Sequence, residues 1–209
     1  MRRHEAVVFI ELAGETIPAG RLVMEEDQRF SRSSFSYGRR YLERENAVAL
    51  DPVTLPLGSE KFVTQEDFAL FNGIRDAAPD AFGRMLIDSF MIRTRNRPAG
   101  EAEFLLASWS GHRTGALRFG PDPAGPGRVL KESIPSYEME IGELSAFQRM
   151  VEEHLDEGVL PERMLAMVAP GSDMGGARPK GTVLIDGFPW LAKFSKAGDR
   201  INNAAAEAG

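Results

Sequence analysis

The feature that most constrains this chain is a change in the spacing of its apolar residues. Before about residue 50 they cluster in short β-branched and aromatic runs. Val7 to Leu12 reads as a strand, Gly14 as a turn, and Ile17 to Met24 as the returning strand of a hairpin. Arg32 to Tyr37 alternates polar with aromatic residues, and Ala47 to Leu50 is a further short strand candidate. Asp51 to Gly58 carries two prolines and reads as a loop. From about Thr64 the spacing becomes helical. Gln65 to Asn72 predicts a short helix. Asp80 to Arg95 predicts a longer one, with Phe82, Met85, Leu86 and Phe90 on one stripe and Pro79 at its start. Glu101 to Trp109 predicts a third, burying Phe104, Leu105 and Trp109. A chain that switches period in this way is α+β.

Later segments repeat the alternation. Gly115 to Phe119 reads as a strand, and Gly120 to Gly127, rich in proline and glycine, as a surface loop or hinge. Ile141, Leu144, Phe147, Met150 and Val151 predict an amphipathic helix reaching about Glu157, and Leu160 to Val168 a short one. Near Pro170 the pattern returns to strands. Two domains are therefore expected, 1–125 and 126–209.

Charge and cysteine content narrow the chemistry. The formal charge is −6, which disfavours a broad nucleic-acid footprint. There are no cysteines, so disulfides, thiolate nucleophiles and Cys-based zinc sites are excluded. No apolar run approaches the ~20 residues of a membrane helix. A cytoplasmic protein without membrane contact is expected. His4, His112 and His154 lack metal-ligand spacing, and no metal site is expected in the chain. Asp76 and Asp80 lie close together in the sequence, as paired carboxylates could. Ser108 and Ser110 have no histidine partner, and Glu152, Glu153, Asp156 and Glu157 read as a solvated helix face.

The segment with chemical content is 171–194. Gly175 and Gly176 lie in a loop where side-chain-free backbone can approach an oxyanion closely. Thr182 to Ile185, the turn Asp186-Gly187 and Phe188 to Phe194 read as a hairpin, with Pro189 weakening the pairing near the start of its second strand. Lys193 stands late in that strand, where an ammonium can neutralise phosphate charge. The glycines precede no Gly-Lys-Ser/Thr, so this is no Walker loop, and Gly-x-Gly-x-x-Gly is absent too.

The string Gly175-Gly176-Ala177-Arg178-Pro179-Lys180, followed by Trp190-Leu191-Ala192-Lys193-Phe194, resembles the HipA family of toxin serine/threonine kinases. Ala19-Gly20-Arg21-Leu22, Leu55-Pro56-Leu57, the stretch from Phe71-Asn72-Gly73-Ile74 to Pro79-Asp80-Ala81-Phe82-Gly83-Arg84, and Gly115-Ala116-Leu117-Arg118-Phe119 resemble that family's N-terminal domain. The resemblance implies a small mixed sheet with packed helices, followed by the first strands of a kinase N-lobe. It implies ATP and Mg2+ as cofactors. ATP would be contacted by Asp173, Met174, Gly175, Gly176, Ala177, Arg178, Lys180 and Lys193, and Glu207 would be the helix partner of Lys193. The family's autophosphorylated loop serine aligns with Asp173, leaving Ser172 beside it as the alternative phosphorylation site. No residue here resembles the family's catalytic and magnesium-binding aspartates, so the chain is expected to be the N-terminal part of such a kinase and inactive alone. Implied partners are a helix-turn-helix antitoxin resembling HipB, through which DNA would be met indirectly, and a protein substrate such as an aminoacyl-tRNA synthetase. The implied biology is a toxin–antitoxin system linked to persistence. The alternative reading is a non-catalytic interaction or inhibitory module of a split or truncated system.

Overall fold

A computed structural model describes residues 1–27, 30–65, 68–107, 115–131, 139–154 and 180–194. These fall into two compact units. The first comprises Met1–Ala78, Gly100–Ala107 and 115–131, and the second Pro79–Ala99, 139–154 and 180–194. The Pro/Gly stretch after residue 120 belongs to the first unit. It folds back so that the Gly127 N–H donates to the Phe119 carbonyl at 2.9 Å.

The first unit is built on strands β1 (Arg2–Leu12), β2 (Glu15–Glu26), β3 (Ser31–Tyr37), β4 (Phe62–Val63) and β5 (Leu117–Gly120). Their order is β4-β3-β2-β1-β5 and every pairing is antiparallel. The sheet expected to be mixed is therefore purely antiparallel; the short connections β1–β2 and β2–β3 require this of their own pairs. Ala13 (φ 50°) and Gly14 (φ 83°) form the two-residue turn between β1 and β2. Left-handed backbone at both positions matches the right-handed twist of the strands it joins. Strand periodicity decides the core. Ala6, Val8, Ile10, Leu22, Met24 and Phe35 are buried on one face, while Glu5, Val7, Arg21 and Ser34 lie on the other.

Helices α1 (Arg39–Leu42), α2 (Asn72–Arg75) and α4 (Glu101–Leu106) accompany this sheet, with α3 (Ala81–Arg95) assigned to the second unit. Leu105 is buried as expected and Phe104 only half-buried; Trp109 lies outside the described residues. The helix expected over 65–72 is not formed at 68–71, and α2 begins at Asn72. The strand expected over Ala47–Leu50 is also not formed. Its backbone groups are taken by two tyrosine hydroxyls. Tyr41 Oη donates to the Val48 carbonyl (2.7 Å), and Tyr37 Oη accepts from the Leu50 N–H (2.9 Å) while donating to the Leu55 carbonyl (2.6 Å). Tyr37 and Tyr41 stack with centroids 5.7 Å apart, and burial pushes both phenol pKa values up.

Asp51 pins the loop that follows. Burial alone would raise its pKa. Donation from Thr54 Oγ1, the Val53 N–H (2.9 Å) and the Gly73 N–H (3.4 Å) outweighs burial and holds it below the ordinary value. A depressed folded pKa contributes stability that is complete above the unfolded carboxylate range near ~4 and is lost as pH falls through the folded value. Asp51→Asn is expected to cost about 1–3 kcal/mol at neutral pH. In thermal melts the gap from wild type should close in acid, and a gap constant across the acid range would contradict this account.

In the second unit Asp80 caps α3, its Oδ1 accepting from the Gly83 N–H at 2.9 Å, and Asn96 ends the helix in left-handed backbone (φ 52°). Asp80→Ala is expected to cost about 1 kcal/mol in a chemical melt. Strands β6 (Met139–Glu140), β7 (Lys180–Ile185) and β8 (Phe188–Lys193) form a sheet with β6 parallel and β8 antiparallel to β7. A single 3-10 turn, Ile141–Glu143, leads into α5 (Leu144–His154) and leaves Ile141 exposed. Phe82 and Leu86 of α3, Met139, Phe147 and Met150, Val183, and Phe194 form the core of this unit. Among the described residues no helix is long and apolar enough to cross a membrane.

Candidate functional site

Asp186 (φ 53°) and Gly187 (φ 80°) make the same two-residue left-handed turn seen between β1 and β2. It fixes the register of β7 against β8 as Lys180↔Lys193, Thr182↔Leu191, Val183↔Trp190 and Leu184↔Pro189. Pro189 stands in the register opposite Leu184, where it has no N–H to give to the ladder. The register places residue 180, where segment 171–179 joins the sheet, directly across from Lys193.

Lys193 is exposed, and its position is set from the residue that follows it. Phe194 is buried against Phe147 of α5, with ring centroids 4.9 Å apart. Such an aromatic pair adds about 0.5–1.5 kcal/mol beyond area burial. The end of β8 is thereby anchored to a helix, and Lys193 rises from rigid backbone rather than from a loop.

Of the residues singled out from the sequence, Lys180 and Lys193 are brought together by this register. Ser172, Asp173, Met174, Gly175, Gly176, Ala177, Arg178 and Glu207 lie outside the described residues. Among the described residues no group of three His, Asp or Glu is placed to hold a metal ion.

The remaining acidic candidates are structural. Asp76 closes α2 and Asp80 caps α3. Glu152 and Glu153 are exposed; Asp156, Glu157, Ser108, Ser110 and His112 lie outside the described residues.

A second cluster of charge was not foreseen. Glu26 and Glu103 are buried, and Arg2 bridges both, at 3.2 Å to Glu26 Oε1 and 3.3 Å to Glu103 Oε2. His4, expected at the surface or in a structural role, sits largely buried with Nε2 3.8 Å from Glu26 Oε1. The Glu103 carboxylate also accepts the Gly100 N–H at 3.0 Å, and Glu26 accepts the Ala102 N–H at 3.4 Å. These carboxylates close the N-terminus of α4, a structural duty. The sequence signal was a glutamate three residues after Gly100, the capping spacing; nothing marked Glu26.

No family model matches the chain, and a search of characterised proteins finds no significant match.

Proposed function

We propose that the chain is the N-terminal part of a HipA-like, ATP-dependent serine/threonine protein kinase of the toxin–antitoxin type. The observation that supports this reading is the β7–β8 register, which sets Lys193 opposite the residue where the glycine-bearing segment 171–179 enters the sheet. In phosphoryl transfer the protein supplies position and countercharge, and a strand lysine beside backbone amides suits that task. Lys193 would neutralise nucleotide phosphate, and Gly175 and Gly176 would let backbone N–H groups approach it. ATP supplies the transferred phosphoryl group. Magnesium ligands and the catalytic base would come from a further lobe. Antitoxin, aminoacyl-tRNA synthetase substrate, cytoplasmic location and phosphorylation at Ser172 belong to the same proposal.

On this reading the chain alone holds half of a nucleotide cleft. Titration calorimetry should show weak ATP binding or none. Tight, magnesium-dependent binding by the isolated chain would contradict it. A second reading, an interaction module without catalysis, is favoured by the first unit's having a hydrophobic core cluster of its own among the described residues. Phosphoryl transfer by the chain joined to a catalytic lobe separates the two readings.

A further inference from the structure

The outward face of the antiparallel sheet carries a groove of about 790 Å³, bounded by β1, β2, the β3–α1 corner and the loop after β5. Its accessible apolar lining is Val7 and Pro18 on the strands and Pro121 and Pro123 in the loop; Tyr37 and Tyr41, which also line it at the corner, are buried. Three arginines line it, Arg21, Arg39 and Arg40. The two acidic residues in the lining are already engaged. Glu5 is held by Arg21 and by Arg3 (2.7 Å), and those contacts, the hydrogen bond from Arg21 foremost, keep its pKa below the ordinary carboxylate value. Asp122 accepts the Ala124 N–H at 2.8 Å. Arg39 meets Glu43 at 3.3 Å, whereas Arg40 has no ion pair among the described residues. In the lining three arginines (Arg21, Arg39, Arg40) thus stand against two carboxylates (Glu5, Asp122), a local positive excess in a chain of net charge −6.

We infer that this groove docks an acidic, partly apolar peptide segment of a partner protein. The positive excess calls for carboxylates, which guanidinium groups bind in a planar, paired geometry. The apolar walls call for side chains to fill them, which a phosphate backbone does not offer. The inference stands on the first unit alone and is independent of the kinase proposal.

The test uses the whole chain and a fluorescein-labelled, capped peptide in which glutamate alternates with leucine, followed by fluorescence anisotropy. Saturable binding, weakened by salt and lowered about tenfold or more by the double replacement Arg39→Glu, Arg40→Glu, is the expected result. Both replaced residues are exposed, so the fold should survive, and circular dichroism checks this. If the double variant fails to fold, Arg40→Ala alone should weaken binding severalfold. Three results would overturn the inference: no binding up to millimolar chain, binding unchanged in the folded variant, or tighter binding of a single-stranded oligonucleotide of matched charge.

Discussion

Lys193→Ala, made in a chain extended by a catalytic lobe, is expected to lower phosphoryl transfer about 100- to 1000-fold, the usual cost of removing one preorganised charge-stabilising group. The size of the effect follows from geometry. Lys193 ends a strand whose next residue, Phe194, is locked into the core against Phe147, so its backbone position is fixed. Lys193→Arg should recover little, because a planar fork does not substitute for a compact ammonium. Since Lys193 is exposed, neither change should shift the melting temperature appreciably. Assay of phosphate transfer beside thermal melts separates the outcomes. Wild-type turnover in a folded Lys193→Ala protein removes this residue from the site and, with it, the kinase proposal.

The other large effect is on stability. Arg2→Met leaves the buried Glu26 and Glu103 carboxylates without the guanidinium that bridges them. Removing one partner from a buried ionic group costs about 3–5 kcal/mol, and the partial exposure of Arg2 favours the lower end. For a unit of this size that corresponds to a fall in Tm of roughly 10–20 °C. Adding Glu103→Gln should return part of the loss. It removes one stranded charge and keeps an amide able to accept the Gly100 N–H. An Arg2→Met protein within about 0.5 kcal/mol of wild type would show that the cluster behaves as a solvated surface pair.

How far the sequence disclosed this structure depends on the range of the force involved. Turns and amphipathic stripes are local and were legible. Gly14 and Asp186-Gly187 announced two hairpins, and Phe82, Met85, Leu86 and Phe90 announced α3. The Ala47–Leu50 segment looked like a strand because apolar residues favour one. Its outcome was decided by Tyr37 and Tyr41, whose hydroxyls claimed its backbone from another part of the chain. Nothing in the sequence marked Glu26, because its partners, Arg2 and the α4 N-terminus, are brought to it only by the fold. The parallel pairing of β6 with β7 joins segments some forty residues apart, beyond any local pattern. Of the candidate site, the hairpin and the position of Lys193 were legible; the facing of residues 180 and 193 emerged only with the register.

The strand order β4-β3-β2-β1-β5 has a consequence for synthesis. The β1–β2–β3 meander can form while the nascent polypeptide is still short, but the far side of β1 waits for a segment more than a hundred residues downstream. At about 5–20 residues per second a ribosome needs roughly 5–20 seconds to deliver it. For that interval the Val7–Ile10 edge stands open to any other extended polypeptide, so yield in the cell should depend on translation speed and on chaperones that shield it.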